Sequence, residues 1–140
     1  MAESEHLLDA GPLAAFIDAR DRDHAWSKRE LGKLKPPLIT CEAVLSETLF
    51  LLSGDPAAPQ KIATLFERGL LVSHPLFDQD AGAVLGLMQT YRDRPMSLAD
   101  GCLVRLSEKI RGSVVVTLDS DFTVYRRHRR QAIPVRCPRR

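Results

Sequence analysis

A chain of 140 residues and 15.6 kDa has room for one compact domain built around one core. Its 44% hydrophobic and 27% charged residues, with nine prolines and eight glycines, exclude collagen-like, low-complexity and coiled-coil classes. The net charge of +2 conceals an asymmetry: seven arginines (Arg126, Arg127, Arg129, Arg130, Arg136, Arg139, Arg140) and no acid fall within 126–140, leaving 13 basic against 18 acidic residues, net −5, in 1–125.

Taken in chain order, His6-Leu7-Leu8 is a short apolar strand closed by Asp9, and Pro12 then opens a helix through Ile17, since a first-turn proline loses no hydrogen bond. A polar helix over about 22–33 leads to a strand at Leu38-Ile39, and Thr40 caps a helix running to about Leu52. Helices over about 57–68 and 77–92 flank the apolar run Leu70-Leu71-Val72. Ser97 caps a helix to about Ile110, and Val114 to Leu118 is the most strand-like run. A short helix over about 121–128 and the segment Ile133 to Val135 finish the pattern. Short apolar strands alternating with helices predict an α/β fold, a three-layer α/β/α sandwich around a central parallel sheet. One domain over 1–140 is expected, with a basic C-terminal tail from about 126 suited to a phosphate-backbone partner.

No apolar run approaches the roughly 20 residues that cross a bilayer, and MAESEHLLDAG lacks the basic and apolar regions of a secretory signal. A cytoplasmic location is expected, without membrane contact. Cys41, Cys102 and Cys137 are an odd set with no CxxC pair, which argues for reduced thiols and against zinc. Trp26, the one tryptophan, reads as a core or interface anchor.

In an open parallel sheet ligands bind outside the carboxyl ends of the strands. Asp9 ends the first strand; Asp119 follows the most apolar one, with Asp121 two residues on. Glu47 lies on its helix between Ala43 and Phe50 on one side and Val44 and Leu51 on the other, so its carboxylate must be protonated, paired or bound to a cation. Glu42, at the same helix's N-terminus, complements the macrodipole instead. Asp100 has two readings, as a capping-box partner of Ser97 or as an acid bordering the buried stripe of Leu103 and Val104. No phosphate loop, dinucleotide fingerprint, nucleophile elbow or HExxH is present, and the four histidines are scattered. What remains is an all-oxygen acidic set, suited to Mg²⁺ or Mn²⁺.

Four blocks, LLDAGPLAAFID (7–18), ITCEAVLSETLFLL (39–52), DRPMSLADGCLVRLSEK (93–109) and SVVVTLDSDFTVYRRH (113–128), together resemble PIN-domain ribonucleases of the VapC toxin type. The resemblance implies that Asp9, Glu47, Asp100 and Asp119 are catalytic metal ligands, with Asp121 a fifth contributor and Thr117 a supporting hydroxyl. It also implies Mg²⁺- or Mn²⁺-dependent cleavage of RNA phosphodiester bonds, a cognate antitoxin and a homodimer. Arg126 and Arg127 are expected to neutralise substrate phosphate. Two positions depart from the family pattern: Ser97 replaces a frequent further acid, and Gly101 a usual alanine. The alternatives are a PIN-like module that holds RNA or protein without cutting it, a PIN nuclease outside any toxin–antitoxin pair, and a receiver-like Mg²⁺ domain, which Glu47 on a helix does not fit.

Overall fold

The computed structural model describes residues 4–138. Five short strands, β1 (His6–Leu8), β2 (Leu38–Thr40), β3 (Leu71–Ser73), β4 (Val114–Val116) and β7 (Val135–Arg136), form one parallel sheet in the order β3-β2-β1-β4-β7. Between them run α1 (Ala10–Ile17), α2 (His24–Gly32), α3 (Glu42–Leu51), α4 (Ala58–Glu67), α5 (Phe77–Thr90) and α6 (Leu98–Lys109). A separate antiparallel hairpin, β5 (Arg126–Arg127) with β6 (Gln131–Ala132), lies between β4 and β7.

Successive strand residues face opposite ways, and this alternation splits the core in two. Leu7, Ile39 and Val115 join Val84 of α5, Leu103 and Val104 of α6, and Phe122, Tyr125 and Ile133 on one face. Leu8, Leu38 and Val116 face the other way, onto Leu13 of α1 with Trp26 and Leu31 of α2 and Leu65 of α4 against them. Helix α3 touches both cores, Val44 in the first and Leu45 against the second. The three-layer α/β/α sandwich with a central parallel sheet is therefore the architecture, and Trp26 is a half-buried core anchor.

Glycine settles the fit of two helices in one layer. A Cβ on Gly101 would stand 3.2 Å from Val84 Cγ1 and 3.4 Å from Met88 Cγ, so the residue that departs from the usual alanine lets α6 lie close on α5.

Three local expectations change. Thr40 is the last residue of β2, its hydroxyl donating to the Leu8 carbonyl at 3.1 Å, and Cys41 takes the N-cap position of α3 without a side-chain cap. The helix expected over 121–128 is a single 3-10 turn, Ser120–Thr123, after which the chain leaves for the hairpin. Burial of Phe122 and Tyr125 gives that segment its helical spacing, but Arg126 and Arg127 pair as a strand with Ala132 and Gln131.

The arginine-rich segment is likewise no loose tail. Ile133 is buried, β7 pairs beside β4 through Val115↔Val135 and Val116↔Arg136, and Arg136 Nη1 reaches Glu30 Oε1 at 3.2 Å. The apolar residues interleaved with the arginines supply a sheet edge. Arg139 and Arg140 lie outside the described residues.

Candidate active site

Four elements deliver carboxylates to the end of the sheet where β1 and β4 finish. Asp9 follows β1 and caps α1, its Oδ1 accepting the Ala10 N–H at 2.8 Å. Asp119 follows β4 and caps the 3-10 turn, its Oδ1 accepting the Asp121 N–H at 2.9 Å. Asp100 stands in the first turn of α6, whose cap is Ser97 with Oγ accepting the Asp100 N–H at 3.0 Å. Both readings of Asp100 therefore hold: its backbone is capped, and its carboxyl is buried. Glu47, on α3, is half-buried. Only half of its apolar flank is core: Val44 is buried with Ala43 packed beside it, but Phe50 is 75% and Leu51 54% exposed.

Thr117 ties the two strand ends together. Its hydroxyl donates to Asp9 Oδ2 at 2.7 Å and accepts the Asp119 N–H at 2.9 Å, with the side chain wholly buried. One hydroxyl thus fixes two acids from opposite ends of the sequence.

The carboxyl groups sense one another. Burial, opposed by the Thr117 and Ala10 hydrogen bonds, pushes Asp9 up to about 7, and the charges of Asp100 and Glu47 push the same way. Asp100 is raised by burial, against a hydrogen bond from Tyr125, and by Asp119. Glu47 is raised by burial, Asp100 and Asp119. Among the described residues, no three His, Cys, Asp or Glu side chains already stand as a closed metal-ligand set. The donor chemistry nevertheless fits a hard divalent cation: an all-oxygen set of four carboxylates, three of them held back from ionising by burial and by their neighbours, is relieved by positive charge placed among them.

Asp121 sits at the same end, but its Oδ1 is engaged by Arg94 Nη1 at 3.0 Å. The two arginines expected on substrate differ. Arg127 is buried and turned inward, its Nη2 donating to the Ser113 carbonyl at 2.7 Å, so it braces the fold and is not placed to meet phosphate. Arg126 remains at the surface edge, its Nη1 held by the carbonyls of Thr123, Val124 and Tyr125.

Sequence reasoning missed Tyr125 and Arg94. Tyr125 is fully buried, donates its hydroxyl to Asp100 Oδ2 at 3.1 Å, and is held well above the ordinary tyrosine range by burial and by the Asp100 charge. The signal was available: a buried phenol needs a hydrogen-bond partner, and Tyr125 follows Phe122 at core spacing. Arg94 lies in a turn, and nothing in its local sequence points to Asp121. Within the first core, Cys41 and Cys102 share a hydrogen bond that lowers the first thiol and raises the second.

A family model described as PIN domain matches residues 6–127. The chain belongs to the PIN-domain family. Among solved structures, the fold of this PIN domain is similar to that of VapC20 of Mycobacterium tuberculosis, a toxin that cleaves the sarcin-ricin loop. The TM-score is 0.72 at 23% identity, over 86% of this chain and 94% of that one. A sequence search of curated proteins returns no match. The matched region spans all four acids, Thr117 and Tyr125.

Proposed function

We propose that this PIN domain is a metal-dependent endoribonuclease of the VapC type, hydrolysing RNA phosphodiester bonds at the Asp9, Glu47, Asp100 and Asp119 cluster. The observation that carries the reading is the mutual elevation of buried carboxyls at the carboxyl end of the sheet, with Asp9 at about 7. Such crowding costs stability and has no purpose in a scaffold, whereas it suits a site that operates with a cation bound.

Asp9, Glu47, Asp100 and Asp119 would hold Mg²⁺ or Mn²⁺, and Asp121 would join them on release from Arg94. The bound ion would supply charge neutralisation and a polarised water for in-line attack on phosphorus. Thr117 keeps Asp9 aimed at the site, and Tyr125, donating to Asp100, favours its charged form against the burial that raises it. A carboxylate not fully committed to the ion accepts the proton of the attacking water. Arg126 meets substrate phosphate from the edge of the site.

The resemblance to VapC toxins further supports a toxin role with a cognate antitoxin, in the cytoplasm and without a membrane partner. No helix among the described residues is long and apolar enough to cross a membrane. The consecutive exposed residues Leu49, Phe50 and Leu51 on α3 offer the expected homodimer an apolar contact.

The deciding experiment is cleavage of total RNA by the purified chain with Mn²⁺, beside Asp9→Asn and Asp100→Asn variants that keep shape and remove charge. Cleavage by the wild type alone supports the reading. RNA binding with no cleavage in any metal would favour the non-catalytic module instead.

A further inference from the structure

A cleft of about 720 Å³ opens between α5, α6 and the β5–β6 hairpin, beside the acidic site and outside it. Tyr91 lines the cleft and connects it to the acidic site: its hydroxyl accepts the Arg126 N–H at 2.9 Å, and its ring stands edge-on to Tyr125, 5.0 Å between centroids. Tyr125 in turn holds Asp100.

The lining is cationic in an arranged way. Arg105 is committed to Asp80 and Glu108. The Arg126 guanidinium is different, because its Nη1 is fixed by three neutral carbonyls that orient the group without cancelling its charge. At the hairpin tip His128 and Arg129 adopt φ of 50° and 71°, the two left-handed positions by which a tight turn closes a hairpin, with the Arg130 N–H on the Arg127 carbonyl at 3.2 Å. Glu108 secures it by accepting the His128 N–H at 2.7 Å, which leaves both exposed side chains displayed at the cleft.

The floor is equally telling. Gly82 and Gly86 lie one turn apart in α5, and a Cβ at either would meet nothing within 4 Å. Unlike Gly101, they are not demanded by helix packing, yet each weakens the helix relative to alanine. Their effect is to keep the cleft open.

We propose that this cleft carries the single-stranded RNA flanking the scissile bond, with Arg126, His128 and Arg129 against its phosphates and the Gly82 and Gly86 face of α5 as its floor. The inference rests on the ribonuclease reading and extends it to the substrate's path. A polyanion fits because the Arg126 charge is held in place uncancelled and the exposed Arg129 stands at the same rim, beside Tyr91, whose ring can face a base.

The test uses the full chain and two variants. Gly86→Glu fills the floor with a charged side chain, and Arg129→Asn removes a cation while tolerating the left-handed backbone. Anisotropy of a short fluorescein-labelled RNA of mixed sequence, in EDTA, reports binding; cleavage of the same RNA in Mn²⁺ reports turnover. Gly86→Glu should melt no lower than the wild type, because it improves helix propensity, and should bind RNA about tenfold more weakly at low salt. Arg129→Asn should lose a smaller factor that shrinks as salt rises, and both variants should lose activity through KM. Variants that bind and cleave as the wild type does, while Asp100→Asn is inactive, overturn the cleft and leave the nuclease reading standing. Failure of the wild type to cleave any RNA ends both. Variants that lose affinity for poly-glutamate but not for RNA overturn the proposal in favour of an acidic protein partner.

Discussion

The Tyr125 hydroxyl donates to Oδ2 of Asp100 at 3.1 Å, from a ring packed edge-on between Tyr91 and Phe122. The bond favours the ionised acid, against the burial that raises it. Tyr125→Phe should lower stability by about 1 kcal/mol, the ordinary value of one hydrogen bond. It should also move the acidic limb of the pH–rate profile to higher pH, since Asp100 loses a donor to its charged form. A profile displaced to lower pH would contradict this assignment.

Asp9 governs how stability depends on pH when no cation is bound. Its carboxyl is raised from 3.8 to about 7 by burial first of all. Between those values the folded chain keeps a proton that the unfolded chain has shed, so stability should fall as pH rises across the window. The cost is complete above about pH 7, at about 4 kcal/mol by linkage. Asp9→Asn removes it at the expense of one rearranged hydrogen bond at Thr117, and should therefore melt higher than the wild type at about pH 8 in EDTA. Urea titrations of both chains across this range measure the difference; equal slopes with pH would refute it.

Divalent cations should act on the same charges. Millimolar Mn²⁺ is expected to raise the wild-type melting temperature according to RT ln(1 + [L]/Kd), and EDTA to reverse the rise. Asp100→Asn and Glu47→Gln should lose most of this response together with RNA cleavage. Glu42→Gln, an exposed first-turn acid of α3, should keep both. Differential scanning fluorimetry on the four chains decides the matter.

Arg127 and Arg126 are neighbours with opposite fates. Arg127→Ala removes a buried guanidinium whose Nη2 holds the Ser113 carbonyl, and should destabilise the chain by about 1–3 kcal/mol. RNA affinity of the folded variant should stay near that of the wild type. A stable Arg127→Ala chain with lost affinity would put Arg127 back on the substrate.

The order of strands and helices was legible because each short apolar run carries its own punctuation: Pro12 in the first turn of α1, and Ser97 as the cap of α6. The acids at strand ends were legible for the same reason, since Asp9 and Asp119 act as caps that the chain needs locally. What escaped were decisions made at a distance. Thr40 looks like a cap until β1 supplies the Leu8 carbonyl for its hydroxyl. The helix pattern through Phe122 and Tyr125 cannot reveal that the edge of the sheet recruits Val135. Arg127 reads as one more exposed cation because Ser113, fourteen residues earlier, hides its partner. Glu47 was picked out by its neighbours on the helix wheel, although Phe50 and Leu51 face outward and its carboxyl is raised by burial and by acids on other elements.

The central strand β1 is built early in synthesis, yet its register partner on one side, β4, is made much later: His6 pairs with Val114 and Leu8 with Val116. The Asp9 to Thr117 bond closes a loop of the same span, 108 positions. Such non-local closure comes late in folding. A growing chain on the ribosome therefore has Asp9, Glu47 and Asp100 in place before Asp119 can join them. If the chain cuts RNA as proposed, this is a safeguard of topology: its acids come together only with the strand that joins the two ends of the fold, after the machine that makes the chain has nearly finished.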